Sequence, residues 1–216
     1  MTGNIKESMK LKTVDLTFKK NLKQSLRFNV NDKVWIAAST RPGEEDIILR
    51  AFKKLKINIT NLSLILAPRH PKRAQEIETA VKSLNLQYNK KSEINSNTKE
   101  ESVLILDTLG ELSNLFCIAD TAFVGGTLKP FGGHNLLEPL PYLVPVCFGP
   151  YCETQKESVK LIKDNQCGKK VEDEEELFAF ILKVFNDKRF YNQIINNIRQ
   201  LLNKSDIKLK ANIDLI

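Results

Sequence analysis

The sequence predicts an α/β domain in which a parallel sheet carries helices on both faces. Three observations predict it. Short apolar runs, such as Val34-Trp35-Ile36-Ala37-Ala38, alternate with longer stretches of helical length and amphipathic pattern. No internal repeat interrupts that alternation. The segments richest in Gly, Pro, Arg and His, at 39–43, 68–71 and 125–135, each follow an apolar run. In a parallel sheet such loops gather at the carboxyl ends of the strands, where open α/β sheets bind ligands.

Taken in order, residues 1–32 are polar and weakly patterned. They read as an irregular lead-in to the domain at 33–216, or as a short amphipathic helix. The run at 34–38 is a buried strand ending at Ser39-Thr40. Gly43-Glu44-Glu45 opens a helix through about Leu55, acidic in its first turn and basic later, which suits the helix dipole. Residues 62–67 form the next strand. Pro68-Arg69-His70-Pro71 makes a corner, and a helix follows to about Leu84. Residues 89–99 are polar and read as a surface loop. A strand is expected at 103–106, a helix at 109–119, and a strand at 122–124 that leads into the glycine-rich segment. A short helix is expected at 135–142, a strand at 145–148, a helix at 154–165 and a last strand at 168–171. Two further helices follow, one capped near Asp173 and running through Phe185, one over 189–202.

With 216 residues, the chain is long enough to bury a core without disulfides or metals to staple it. A hydrophobic fraction of 42% and a charged fraction of 27% fit a globular domain and exclude disordered or fibrous classes. The net charge of +7 permits anionic partners, although a lysine-rich solvated surface is the favoured reading of it. The basic residues are dispersed and not interleaved with aromatics, which argues against nucleic acid. Cys117, Cys147, Cys152 and Cys167 form no C-x-x-C pair, so a zinc site is not expected and a reducing compartment is. No signal peptide and no membrane-spanning apolar run is evident.

The most informative stretch is Val124-Gly125-Gly126-Thr127-Leu128-Lys129-Pro130-Phe131-Gly132-Gly133-His134-Asn135-Leu136-Leu137-Glu138-Pro139. Its glycines allow close backbone approach to a ligand, and the amides that follow suit an anion at a helix start. His134 is a candidate donor to a phosphoryl oxygen, with a satisfied loop histidine as the alternative. Asn135 is expected to cap a helix and touch ligand, and Glu138 to accept from sugar hydroxyls. Gly126, Thr127 and Gly133 are further candidate contacts. Ser39 and Thr40 suit a phosphate or carboxylate, and simple N-capping explains them equally well. Arg69 can fork onto a phosphate or a sugar-acid carboxylate. Neither a Walker P-loop nor the Gly-x-Gly-x-x-Gly fingerprint is present. The acidic run 172–176 reads as a solvated helix start rather than a metal site.

Gly125-Gly126-Thr127-Leu128, Gly132-Gly133-His134-Asn135, Leu137-Glu138-Pro139, Val144-Pro145-Val146 and Phe148-Gly149-Pro150 together resemble the 3-deoxy-D-manno-octulosonic acid (Kdo) transferases of lipopolysaccharide synthesis. So do Ala37-Ala38-Ser39-Thr40 with Gly43-Glu44-Glu45, and Pro68-Arg69-His70-Pro71. The sequence departs from the family pattern in places. Arg41 stands where His is common. Phe131 and Leu136 replace His-like and Pro residues, and Tyr151-Cys152-Glu153-Thr154 lacks the usual Asn-Phe.

The resemblance implies a Rossmann-like sheet forming the C-terminal, donor-binding half of a GT-B glycosyltransferase. It implies inverting transfer of Kdo from CMP-Kdo to a lipid A precursor, with no metal and no other cofactor. By motif, Ser39 and Thr40 would lie near the donor phosphate or sugar acid and Arg69 near the cytidine nucleotide. Gly126, Thr127, Gly133, His134 and Asn135 would contact the phosphate side, and Glu138 the ribose. No catalytic base is expected on this chain. The family's N-terminal half supplies the base and binds the acceptor, leaving His134 as a candidate stabiliser of the leaving group. Thr2-Gly3-Asn4-Ile5-Lys6 is similar to a stretch where that first half ends, so the chain is expected to begin inside a motif, as if a longer gene were split or shortened. The expected location is the cytoplasm, with peripheral contact on the cytoplasmic face of the bacterial inner membrane. Two alternatives stay open: an inactive truncated remnant that folds and holds nucleotide, and a different GT-B enzyme using a UDP- or GDP-sugar.

Overall fold

The computed structural model describes residues 9–213; the Thr2-Gly3-Asn4-Ile5-Lys6 similarity lies outside the described residues. Seven strands form one sheet: β1 (Lys33–Thr40), β2 (Leu62–Pro68), β3 (Tyr88–Lys90), β4 (Val103–Ile105), β5 (Thr121–Val124), β6 (Val146–Phe148) and β7 (Gly168–Lys170). Their spatial order is β3-β4-β2-β1-β5-β6-β7, and every neighbouring pair is parallel. The chain winds outward from β1 to one edge, then returns to the other side of β1 with β5. The order therefore reverses between β1 and β5, and such a reversal opens a crevice at the carboxyl ends of the strands.

Among the described residues, seven α-helices accompany the sheet: α1 (Leu16–Ser25), α2 (Glu44–Asn58), α3 (Ala74–Ser83), α4 (Leu112–Leu115), α5 (Lys156–Asp164), α6 (Glu174–Asn186) and α7 (Lys188–Ile213). Side chains alternate along a strand, so β1 feeds two cores. Trp35 and Ala37 pack with Ile48, Phe52 and Leu55 of α2 and Phe180 and Ile181 of α6. Val34, Ile36 and Ala38 face the other way, against Leu26, Phe28 and Phe116. The segment before β1 takes the helical alternative as α1, capped by Asp15, which accepts from the Phe18 amide at 3.0 Å. Leu26 and Phe28, just beyond α1, are buried in the second core.

On the first face α2 and α6 are also joined by ion pairs. Glu174 meets Arg50 at 2.7 Å and Lys54 at 2.8 Å, and Glu175 meets Lys54 at 2.6 Å. The acidic run at the start of α6 thus ties two helices together, and Asp173 caps it by accepting from the Glu176 amide. Among the described residues, no group of three or more His, Cys, Asp or Glu side chains is placed to hold a metal. No helix there is long and apolar enough to cross a membrane.

The four cysteines are free and buried. Desolvation raises all four thiols, Cys152 to about 11 and Cys167 to about 12.

Three elements differ from the sequence reading. The stretch read as a loop at 89–99 begins with β3, an edge strand paired to β4. Its residues are all half-buried, so no apolar alternation marks it. The helix expected at 109–119 shrinks to α4 and a 3-10 turn, Phe116–Ile118. The helix expected at 135–142 is a turn followed by a 3-10 segment, Leu140–Tyr142. Pro139 and Pro141 have no amide hydrogen to donate along an α-helix, and Leu143 closes the segment at φ 60°.

Candidate functional site

The loops after β1, β2, β5 and β6 meet at the carboxyl edge of the sheet, above the β1–β5 reversal. The backbones approach very closely there. A Cβ on Gly125 would lie 2.6 Å from the Ser39 carbonyl oxygen and 2.7 Å from Thr40 Cα, so no other residue fits. Ser39 adopts φ 55°, and the β1–β2 register shifts between Ala38 and Thr40. A left-handed serine is a local strain that the surrounding contacts must hold, and such residues cluster at functional sites. The glycine loop then folds onto itself. The Gly133 amide donates to the Gly126 carbonyl at 2.8 Å and the His134 amide to the Gly125 carbonyl at 3.3 Å.

The amides after the first glycine pair do not face a ligand. Glu44, fully buried at the start of α2, accepts from Gly126 at 2.8 Å, Thr127 at 2.9 Å and Leu128 at 2.8 Å. It also accepts from the Arg41 amide at 2.8 Å. Burial raises the Glu44 pKa, and the four amides oppose that shift by stabilising the charged form. Thr127 is equally committed. Its hydroxyl donates to the Val124 carbonyl at 2.7 Å and accepts from the Gly149 amide at 2.8 Å. Thr40 donates to Glu45 at 2.8 Å, and Glu45 is gripped in turn by both terminal nitrogens of Arg73. Thr40, Gly126 and Thr127 thus have these polar groups engaged inside the protein, where they shape the cleft. The helix start expected near Asn135 is corrected. No helix begins there, and Asn135 accepts from the Leu137 amide at 3.1 Å in a turn.

Around the second pair the picture reverses. Among the described residues, the amides of Gly132 and Asn135 donate to no protein group. Thr154, from the loop after β6, locks this part of the loop by donating its hydroxyl to the Gly132 carbonyl at 2.7 Å. Over it sits a cationic cluster. The Arg41 guanidinium donates through Nε to His134 Nε2 at 3.2 Å and through Nη1 to His70 Nε2 at 3.0 Å. It also lies 5.3 Å from the centre of the Phe131 ring. Desolvation first, then the charges of Arg41, Arg69 and His70, push His134 down to about 4. The imidazole is neutral at pH 7. Because Nε2 accepts from Arg41, its proton sits on Nδ1, which is left as a donor.

Arg69 is exposed, its amide pinned to the Thr40 carbonyl at 3.0 Å. Its positive charge acts on both His134 and Glu138. Desolvation raises the Glu138 carboxyl, opposed by the Asn135 side chain and by Arg69. Glu138 is exposed at this edge, and a carboxylate there beside a cation is suited to accept from ligand hydroxyls. The structure thus brings Ser39, Arg69, Gly133, His134, Asn135 and Glu138 to one edge. Two residues central to the site were not among the candidates. Arg41 appeared in the sequence only as a departure from a family pattern. Glu44 read as an ordinary acidic first-turn residue, and nothing in its spacing marked it as the anchor of a loop far along the chain.

Comparison with known proteins finds relatives of this domain. The chain is 42% identical over 195 residues to a bifunctional glycosyltransferase/methyltransferase of Fusobacterium nucleatum, covering 89% of this chain and 30% of that protein. It is 36% identical over 166 residues to the 3-deoxy-D-manno-octulosonic acid transferase of Haemophilus influenzae, covering 77% and 38% respectively. Among solved structures, the C-terminal CMP-Kdo binding domain of WaaA from Acinetobacter baumannii superposes with a TM-score of 0.78 at 28% identity. That match covers 87% of this chain and 97% of that domain. The fold is that of a GT-B glycosyltransferase C-terminal domain. The matched stretch spans well under half of the curated relatives' own length. No protein-family model matches the sequence.

Proposed function

We propose that this chain, a homologue of the 3-deoxy-D-manno-octulosonic acid transferases over their donor-binding half, holds CMP-Kdo for transfer to a lipid A precursor. The observation that carries the reading is the open cationic edge made by Arg41, Arg69 and neutral His134 beside Glu138. A neutral or cationic ligand would leave those charges uncompensated, whereas a nucleotide-sugar brings negative charge to this edge and ribose hydroxyls to Glu138. The 28% identity across nearly a whole CMP-Kdo binding domain supports the same choice of ligand.

In this reading the acceptor hydroxyl attacks the Kdo anomeric carbon from the face opposite the phosphate. The bond from that carbon to the phosphate oxygen breaks, CMP departs, and the configuration inverts. The hydroxyl proton goes to a carboxylate base, which we assign to a separate acceptor-binding domain. Glu138 is taken in this reading to serve the ribose. Charge builds on the departing phosphate, where Arg69, the Nδ1 proton of His134 and the Gly132 and Asn135 amides stabilise it. Ser39 and Gly133 frame the sugar side. The acceptor and the base belong on the cytoplasmic face of the inner membrane.

The test is calorimetric titration with CMP, with UDP and GDP as competitors. Saturable CMP binding displaced poorly by the other nucleotides is expected; no saturable heat at millimolar CMP sinks the proposal. Transfer from CMP-Kdo to lipid A precursor is then expected when an acceptor-binding domain is present in the assay.

A further inference from the structure

The Arg41 guanidinium is held by imidazoles and an aromatic ring rather than by a carboxylate. Its Nε and Nη1 are fixed by two imidazoles, and its plane lies over Phe131. Glu44 takes the Arg41 backbone amide, not the guanidinium. Among the described residues no acidic side chain pairs with Arg41, so its remaining N–H groups have no protein acceptor. A guanidinium pre-set in this way loses little conformational freedom on gripping a planar anion, and a carboxylate matches its fork.

The positions of the charges give the cleft a direction. Arg41 bonds to His134 and lies against Phe131, Glu138 stands four residues beyond His134 on the same loop, and the charge of Arg69 acts on both Glu138 and His134. Along the loop the order is therefore Glu138, then His134, then Arg41 against Phe131, with the charge of Arg69 alongside Glu138 and His134. A sugar-acid nucleotide presents ribose, phosphate and carboxylate in the same order. In a 2-ulosonic acid the carboxylate is attached directly to the anomeric carbon, one atom from the phosphate ester oxygen, so adjacent guanidiniums can reach both anions.

We propose that Arg41 is the carboxylate receptor of the site and sets its preference for a sugar acid over a neutral sugar. With Arg69 and His134 on the phosphate, Arg41 takes the second anion of the donor. Phe131 and His70 hold the guanidinium at that position. The inference rests on the donor-site reading above and adds to it an assignment of which arginine reads which anion.

The test compares CMP with CMP-Kdo on the same protein. The wild-type chain is expected to bind CMP-Kdo more tightly than CMP. Arg41→Gln is expected to leave CMP affinity within about threefold and to weaken CMP-Kdo by about 10- to 100-fold, the range for losing a charge-assisted hydrogen bond. Arg41→Lys, which keeps the charge but not the fork, is expected to fall between them. Arg69→Gln is expected to weaken both ligands together. Urea midpoints of the variants, unchanged from wild type, show that folding is intact. Equal losses for CMP and CMP-Kdo in Arg41→Gln would place Arg41 on the phosphate and overturn the assignment. No loss for either ligand, with wild-type binding intact, also overturns it while leaving the donor site standing. Failure of the wild-type chain to bind CMP overturns the donor-site reading itself.

Discussion

Gly125-Gly126 and Gly132-Gly133 both bend the loop after β5 through left-handed backbone, at φ 73° for Gly126 and at 84° and 89° for the second pair. The amides that follow them meet different partners. After the first pair, three successive N–H groups converge on the buried carboxylate of Glu44. After the second, the Asn135 amide is left for something outside the protein, beside Arg41 and Arg69. A concave run of amides is thus a brace when the fold supplies the anion and a receptor when it does not. The deciding element is α2, whose first residue reaches across the β1–β5 crevice to fill one nest.

The largest expected effect comes from emptying the brace. Glu44→Ala leaves the Gly126, Thr127 and Leu128 amides buried without acceptors and should cost about 3–5 kcal/mol in urea unfolding. A loss below about 1 kcal/mol would mean that water or backbone movement satisfies those amides and that the two nests are alike. Thr127→Val removes the hydroxyl that joins the Val124 carbonyl to the Gly149 amide. About 1–2 kcal/mol of stability should go with it, and CMP affinity should fall only as far as the loop shifts.

On the receptor side the balance is the opposite. Glu138→Ala is expected to change stability by less than about 0.5 kcal/mol and to weaken CMP by about tenfold; equal stability and binding effects would make Glu138 a structural residue. The smallest effect is on protonation. Histidine ring resonances followed by NMR should show His134 neutral at pH 6, protonated on Nδ1, with a midpoint about 4. Its folded pKa is depressed, so the unfolded chain takes up the proton first as pH falls. The corresponding stability is present above the ordinary value of 6.5 and is lost as pH drops from there through 4. Arg41→Gln removes one of the charges that depress it and should raise the midpoint; a midpoint near 6.5 in the wild type would contradict the desolvated, charge-flanked placement of His134.

Much of this was legible from the amino-acid order. Buried runs such as 34–38 and 62–67 announce the central strands because both faces of a parallel sheet are covered. The clustering of 39–43, 68–71 and 125–135 at one edge followed from each loop succeeding a strand. What stayed hidden depends on distance in sequence. The Glu44 carboxylate meets amides more than eighty positions away, which periodicity cannot foretell. The same holds for the hydroxyls of Thr40 and Thr127, whose residue types suit ligand contact and internal bonding alike. β3 escaped because an edge strand, with half-buried residues throughout, carries no alternation. The short helix expected after Asn135 was overridden by the prolines at 139 and 141.

The buried cysteines give these distinctions a chemical readout. Cys147 sits at the centre of β6 and Cys167 just before β7, both without solvent exposure, and both thiols are held well above their ordinary acidity range. A thiol that reacts only as exposed thiolate acts as a stopwatch for opening of the β5–β6–β7 side of the sheet. Alkylation rates under native conditions would therefore separate a substitution that loosens the scaffold beneath the cleft from one that alters only the affinity of the surface above it.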